Sequence, residues 1–211
     1  MKLQAALDYL SIDEALGALG EVARFVDIAE IGTPLLLSCG ADAVRRVREA
    51  FPALEVFADA KIMDGGEIEA DMLYRSGADF VSVMGITNDA TVMGVARAAR
   101  VAGRRFMADM MLVRDLPERA RELVEMGAGI LCVHTAYDVR GAQASPLSEL
   151  RALKSFSGHT ALAIAGGVNA KNIADVSRAG ADIAVVGGAI TAAPDRAAAA
   201  EELRELMEAE G

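Results

Sequence analysis

Short apolar runs alternate with longer segments of helical spacing along all 211 residues of the chain. Eight of the runs are typical of buried strands: KLQAALD, VDIAE, EVFAD, FVSV, RFMAD, ILCVH, ALAIA and IAVVG. Between them, segments such as 41–51, 90–103, 116–127 and 197–207 place apolar residues three or four positions apart, as amphipathic helices do. Strand–helix units of about 20 to 28 residues predict a parallel α/β fold.

A weak internal repeat supports this pattern. SGADFVSV, MGAGILCV and AGADIAVV each place a glycine before a short link and a β-rich run. Glycine there is expected to end the preceding helix in a left-handed conformation. An open doubly wound sheet is the competing architecture, but no GxGxxG follows the first strand. We therefore expect a single-domain (β/α)8 TIM barrel over residues 1–211, with its active site at the carboxyl ends of the strands.

Composition narrows the class of protein. The chain is 53% hydrophobic but only 4% aromatic, and its formal net charge is −10. Such acidity argues against nucleic acid as a partner, because nucleic-acid binding depends on cationic contacts to phosphate. No polybasic patch, secretory signal or membrane-spanning apolar run is present. Cys39 and Cys132 have neither metal nor disulfide spacing, so we expect a cytoplasmic protein without a membrane partner.

Ionisable residues follow the predicted strands at the point where each one ends. An aspartate after a single strand is most often a turn former or a helix cap. In a barrel, however, these ends meet at one mouth, and five such positions predict a catalytic site. The residues are Asp8, Glu30, Asp59 with Lys61, Asp109 and His134.

The stretch VFADAKIMDGG crowds three charges at the end of the third strand. Asp59 and Lys61 are two apart and would face the same way on extended chain, and the alternating signs should keep Lys61 protonated. A fixed ammonium can stabilise an oxygen or carbon that becomes anionic during a reaction. Asp64 has a second interpretation, because D-G-G-E resembles a capping box with Glu67 at its third position.

Two kinds of site chemistry can be assigned to the other rim residues. Glu30 and Asp59 could bind one hard divalent cation. A site with only a few protein carboxylates is typical of Mg²⁺, although Glu30 could instead pair with Lys61. His134 is a candidate general acid or base, whereas His159 precedes the seventh strand and is expected on the surface. A Cys132 nucleophile is disfavoured, because nothing near it in sequence would activate the thiol.

Glycines follow the last two strands. Ala165, Gly166 and Gly167 come after the seventh strand, and Gly187 with Gly188 after the eighth. Loops at these two places of a barrel often bind phosphate, because glycine lets backbone N–H groups approach an anion. They predict a phosphorylated small molecule as the ligand.

With these residues placed, the chain resembles the orotidine-phosphate decarboxylase superfamily, which is marked by Asp-x-Lys-x-x-Asp after the third strand, here Asp59 to Asp64. The resemblance covers essentially the whole chain. It is strongest to the 3-hexulose-6-phosphate synthase family, through MKLQ-A-LD, VDI-E-GTP, ADAKIMDGGE, H-T-x-Y-D, AGGV and VGGAIT.

A sister family, the 3-keto-L-gulonate-6-phosphate decarboxylases, shares the same motif and Mg²⁺ and is the alternative. Its pattern has Glu, Arg, Thr and Arg where this chain has Asp109, Tyr137, Ala165 and Gly188. These departures favour the synthase family. The segment 137–145, YDVRGAQAS, also differs from the run that is commonest in the synthases.

The resemblance implies a reversible aldol reaction in which formaldehyde and D-ribulose 5-phosphate give D-arabino-hex-3-ulose 6-phosphate. It implies that Glu30 and Asp59 hold Mg²⁺ and that Lys61 stabilises an enediolate.

For the remaining rim residues the resemblance implies that His134 moves protons and that Asp8 and Asp109 orient hydroxyls. Asp64 would come from the neighbouring subunit of a homodimer with shared active sites. A sugar-phosphate-binding protein without chemistry is a further hypothesis, against which the rim of ionisable residues counts.

Overall fold

Eight parallel strands close into a barrel in the computed structural model, which describes residues 1–139, 146–154 and 160–209. Neighbouring strands follow chain order, and the last pairs with the first. The predicted (β/α)8 barrel is confirmed, and each strand lies where its apolar run was found. The strands are β1 (Lys2–Leu7), β2 (Ile28–Ile31), β3 (Glu55–Ile62), β4 (Phe80–Met84), β5 (Arg105–Asp109), β6 (Ile130–His134), β7 (Ala161–Ala165) and β8 (Ile183–Val186).

Helices connect the strands and cover the outside of the barrel. The four helical segments predicted from spacing correspond to α3, α5, α6 and α10 and differ from them by one or two residues at the ends. Among the residues described, no helix has the length and apolarity to cross a membrane. The helices are α1 (Ile12–Val22), α2 (Thr33–Cys39), α3 (Asp42–Ala50), α4 (Gly66–Arg75), α5 (Asp89–Ala102), α6 (Leu116–Glu125), α7 (Leu147–Lys154), α8 (Ile173–Arg178), α9 (Gly188–Thr191) and α10 (Arg196–Glu208).

Side chains fill the interior of the barrel. Phe57 and Phe80 stack there with their ring centroids 4.7 Å apart, and both are almost fully buried. At the amino-terminal ends of the strands, the Arg105 guanidinium lies 5.6 Å from the Phe80 ring centroid and pairs with Glu55, which also pairs with Lys2. The rings and ion pairs thus close the barrel at the amino-terminal ends of its strands, which we call the lower end. The open mouth lies at the carboxyl ends of the strands.

The internal repeat has a structural counterpart at the lower rim. The three repeated glycines, Gly77, Gly127 and Gly180, have φ of 107°, 102° and 86°, which confirms their predicted role at helix ends. Two of these glycines are followed by an aspartate that directly precedes a strand: Asp79 follows Gly77 and precedes β4, and Asp182 follows Gly180 and precedes β8. Asp27 has the same position before β2. In each case the carboxylate accepts a 2.8 Å hydrogen bond from a backbone N–H of the preceding strand: Asp27 from Leu3, Asp79 from Val56 and Asp182 from Leu162.

The same position before β6 is Gly129, which has no side chain to accept such a bond. Its backbone keeps the rest of the pattern, since Gly129 N donates to Phe106 O as Asp27 N donates to Leu3 O. The barrel is therefore built from four two-strand units, of which one lacks the capping carboxylate.

Candidate active site

The predicted rim residues lie together at the mouth, with small differences in where each strand ends. Asp8 follows β1, and Asp109 and His134 are the last residues of β5 and β6. Glu30 and Asp59 do not end their strands as predicted, because β2 continues to Ile31 and β3 to Ile62. Longer strands push these two carboxylates deeper into the mouth, where they are 6% and 8% exposed.

Lys61 and Asp59 form an ion pair inside this mouth. The Lys61 ammonium bonds to Asp59 Oδ2 and to Thr33 Oγ1, the latter at 3.1 Å, and Thr33 Oγ1 also donates to the backbone oxygen of Asp59 at 2.8 Å. Burial opposes the charge of Lys61, but Asp59 outweighs it, with help from the charges of Asp109 and Glu30, so the pKa of Lys61 is raised. The mouth therefore holds a fixed, protonated ammonium.

The backbone at Lys61 is not the extended chain that the sequence interpretation assumed. The register of β3 against β4 shifts between Ala58 and Ile62, and Lys61 has φ of 47°. Ser82 on β4 lies across this bulge: its Oγ accepts from Lys61 N and donates to Asp59 Oδ1, both at 2.8 Å. The two charged side chains meet through a β-bulge rather than through simple two-residue alternation.

Glu30 is a buried carboxylate held by a neighbouring amide. Gln4 Nε2 on β1 donates to Glu30 Oε2 at 2.6 Å, while Gln4 Oε1 is buried without a hydrogen-bond partner in the described part of the chain. Burial, followed by the charge of Asp59, raises the pKa of Glu30 to about 8. Across the described residues no ion pair or hydrogen bond joins Glu30 to Lys61, so the two do not form a direct pair, although their charges attract each other.

The carboxylates of Glu30 and Asp59 fit a divalent cation. The pKa of Glu30 stays raised although the charge of Lys61 opposes the shift, so the carboxylate is only partly compensated and a bound cation would supply the missing positive charge. Their hard oxygens suit Mg²⁺, which keeps several waters and needs only one or two carboxylates. In the described ranges no group of three or more His, Cys, Asp or Glu residues is placed to hold a metal. Any ion here would accordingly be completed by water and substrate oxygens.

His134 and Asp109 form a second pair at the mouth, at the ends of β6 and β5. His134 Nδ1 lies 2.7 Å from Asp109 Oδ2, and the other oxygen of Asp109 accepts from Met111 N at 2.9 Å. With Asp109 as a carboxylate, Nδ1 carries the donated proton and Nε2 is left for a ligand. Beneath them, burial and then the charge of Asp109 raise the pKa of Cys132 well above its ordinary value, which agrees with the expectation that it is not a nucleophile.

Asp64 is the predicted site residue that the structure does not bring to the mouth. It is exposed, its Oδ1 accepts from Gly65 N at 2.7 Å, and it lines a groove with Ile68 and Arg97 beside α4 and α5. The capping-box interpretation is wrong, because α4 begins at Gly66 and its N-cap is Gly65, with φ of 62° and no side-chain cap. Asp64 lies one residue too early to cap this helix.

The two glycine loops flank the mouth above β7 and β8. Gly166 has φ of 93°, and a Cβ on it would lie 2.3 Å from the backbone oxygen of Thr135, so only glycine fits. Gly187 is the N-cap of α9, and a Cβ on it would lie 3.7 Å from Asp8 Oδ2. The first N–H groups of a helix have no intrahelical acceptor and can bind an anion, so the phosphate site stays a prediction with suitable geometry.

Sequence reasoning missed three polar residues that support the charged cluster: Gln4, Thr33 and Ser82. Gln4 and Ser82 are buried in β1 and β4, where their apolar runs were interpreted as core. A polar residue in a buried strand needs a partner, and that signal could have indicated them. Of the other predictions, His159 and the segment 140–145 lie outside the described residues.

Comparison with known proteins agrees with this fold and site. Residues 1–203 match the model of the orotidine 5'-phosphate decarboxylase / HUMPS family, and the chain belongs to that family. It is 42% identical to a 3-hexulose-6-phosphate synthase of Mycobacterium gastri, over 97% of this chain and 98% of the relative. The crystal structure of 3-hexulose-6-phosphate synthase from Salmonella typhimurium is 40% identical, covers 100% of both chains and has a TM-score of 0.96.

A more distant structure has the same fold. The 3-keto-L-gulonate-6-phosphate decarboxylase from Vibrio cholerae O1 biovar El Tor str. N16961 is 24% identical, with a TM-score of 0.87 over 100% of this chain and 98% of that one. Full-length similarity to the synthases makes this protein an enzyme, a carbon–carbon lyase of the 3-hexulose-6-phosphate synthase type.

Proposed function

We propose that this enzyme condenses formaldehyde with D-ribulose 5-phosphate to give D-arabino-hex-3-ulose 6-phosphate, reversibly and with Mg²⁺. The observation that supports this most directly is the partly buried ion pair of Lys61 and Asp59 beside Glu30 at the barrel mouth. It combines a fixed positive charge with two carboxylates suited to a cation, in a chain about equally similar to curated and solved synthases.

The chain's own residues account for the proposed chemistry as follows. Glu30 and Asp59 would hold Mg²⁺, which would act as a Lewis acid towards the oxygens of the sugar. The Lys61 ammonium stabilises the negative charge that develops when a proton leaves the sugar carbon. His134, oriented by Asp109, takes and returns protons through Nε2.

Substrate orientation completes the proposal. Asp8 lies at the mouth close to Gly187 and accepts hydrogen bonds from sugar hydroxyls. The phosphate binds backbone N–H groups of the loops that contain Gly166, Gly167 and Gly188, with Ala165 at the end of β7 leading into the first of them. Its negative charge is directed to the side of the mouth away from the carboxylates of Asp59 and Glu30.

A direct assay tests the function. Purified protein with ribulose 5-phosphate and formaldehyde should consume formaldehyde, should stop after treatment with EDTA and should recover with Mg²⁺. The decarboxylase alternative predicts CO₂ release from 3-keto-L-gulonate 6-phosphate instead. Absence of formaldehyde uptake at every Mg²⁺ concentration would contradict the proposal.

A homodimer with shared sites is part of the proposal. Asp64 stands apart from the cluster; Met63, which precedes it, and Ile68, Met72 and Met93, on the two helices that border its groove, are 50%, 79%, 52% and 39% exposed. Apolar side chains grouped in this way are typical of a protein interface. A second copy covering this face would bring its mouth towards Asp64.

Subunit mixing tests the dimer. Lys61→Ala and Asp64→Ala proteins, each inactive alone, should regain activity when refolded together, because each mixed dimer keeps one intact site. Random pairing predicts roughly a quarter of wild-type sites. No recovery from a mixture that light scattering shows to be dimeric would argue against sharing. The binding of formaldehyde stays a prediction. A cytoplasmic location, which was inferred from Cys39 and Cys132, also stays a prediction.

A further inference from the structure

Ser82 is a buried polar residue without a role in the proposed reaction. It lies in the middle of β4 with 1% of its surface exposed, and its Oγ contacts two different parts of β3. A hydroxyl has one proton and two lone pairs, so it can accept from Lys61 N while donating to Asp59 Oδ1.

The backbone of β3 requires such a partner. Lys61 has φ of 47°, an unfavourable conformation for a residue with a Cβ, and it lies in the interval where the β3–β4 register shifts. A bulge takes an N–H out of the regular ladder, and a buried N–H without a partner is costly. Ser82 replaces the missing ladder acceptor, and its hydroxyl proton then reaches the carboxylate two residues earlier.

Thr33 contacts the same pair differently. Its hydroxyl accepts from the Lys61 ammonium and lies 2.8 Å from the backbone oxygen of Asp59 and 3.1 Å from Asp59 Oδ2, but it does not contact the Lys61 N–H. Within the described residues, Ser82 is thus the side chain that joins the strained backbone of Lys61 to the carboxylate oxygen of Asp59.

We propose that Ser82 is a positioning residue that holds the bulged backbone of β3 and the Asp59 carboxylate as one unit, and so sets both cation affinity and turnover. The statement about turnover rests on the proposed function. Cation affinity can be measured without substrate, because Asp59 is proposed to bind the ion directly.

Two substitutions separate the hydroxyl from its volume. Ser82→Ala removes the hydroxyl and leaves a small void, whereas Ser82→Cys fills the space with a weak hydrogen-bonding group. Val81→Ala is the matched control, because Val81 is a fully buried neighbour on the same strand that packs against the helices. Mn²⁺ binding without substrate, followed by electron paramagnetic resonance, gives affinity; steady-state kinetics give kcat and KM; and hydrogen exchange reports on Lys61 N–H.

Both Ser82 variants should bind Mn²⁺ more weakly by roughly 10- to 100-fold and lose a similar factor in kcat, with KM for ribulose 5-phosphate changed far less. The Lys61 amide should exchange faster in both, and Val81→Ala should behave as wild type in all three measurements. Wild-type affinity in Ser82→Cys, or equal losses in Val81→Ala, would overturn the inference. If the wild-type protein consumes no formaldehyde, the proposed function fails, and Mn²⁺ affinity and amide exchange still decide the role of Ser82.

Discussion

Removing the charge of Glu30 should make the metal-free protein more stable, and increasingly so as the pH rises. The change we consider is Glu30→Gln, which keeps the shape of the side chain and its contact with the Gln4 amide. Burial, and after it the charge of Asp59, raises the pKa of Glu30 from an ordinary 4.5 to about 8, against the opposing effects of Gln4 and Lys61. Ionisation of this carboxyl therefore costs stability in the folded protein.

The sign and size follow from proton linkage. Between pH 4.5 and about 8 the folded state keeps a proton on Glu30 that the unfolded state has released. Raising the pH through this window favours the unfolded state by up to about 1.4 kcal/mol per pH unit. From about pH 5.5 to about pH 7.5 the difference in unfolding free energy between Glu30→Gln and wild type should grow by up to ~2.7 kcal/mol.

Urea unfolding in EDTA at several pH values between these limits measures this difference. Glu201→Gln, at an exposed position of α10, is the control and should give a profile parallel to wild type. Because a cation bound at Glu30 would displace the proton, the affinity of wild type for Mg²⁺ should rise by up to about tenfold for each unit by which the pH increases towards 8. A difference between Glu30→Gln and wild type that does not change with pH would refute the buried, proton-binding carboxyl and weaken the case for the cation site.

Three further predictions follow from the fold and the mouth. Lys61→Ala should lower kcat by on the order of 10² to 10³ with unchanged circular dichroism, because it removes the charge that we propose stabilises the developing anion; near-normal turnover would contradict this role. Gly129→Asp should stabilise the protein by about 1 kcal/mol in urea unfolding, because the new carboxylate can accept from Phe106 N and because aspartate restricts the unfolded chain more than glycine does. No gain in stability would mean that this two-strand unit is not equivalent in energy to the other three. Gly166→Ala should raise KM for ribulose 5-phosphate and lower stability, because its methyl group meets the Thr135 oxygen at φ of 93°; unchanged kinetics would place the phosphate elsewhere.

Much of the fold could be predicted because each buried strand is a compact apolar run and glycines mark the helix ends. Gly77, Gly127 and Gly180 end helices as predicted, and eight runs became eight strands. The position of the mouth could also be predicted, because all parallel strands of a barrel have their carboxyl ends on one side. Asp109 and His134 therefore lie within 2.7 Å of each other, although they are 25 residues apart in sequence.

What could not be predicted depends on contacts between strands. The bulge at Lys61 arises from a register shift against β4, and no local pattern in ADAKI indicates it. The N-cap of α4 moved from Asp64 to Gly65 because the chain turns there with a positive φ. Gln4 and Ser82 looked like minor interruptions of apolar runs, and their importance is visible only when the strand beside each one is known.

The closed lower end of the barrel has a kinetic consequence. With stacked rings and ion pairs sealing one end, every ligand must enter and leave through the same opening. A bound product then physically excludes the next sugar, so the two compete for one form of the enzyme. Inhibition by product should appear as a higher apparent KM for the sugar with an unchanged maximal rate, which links output to the speed at which later steps remove the product.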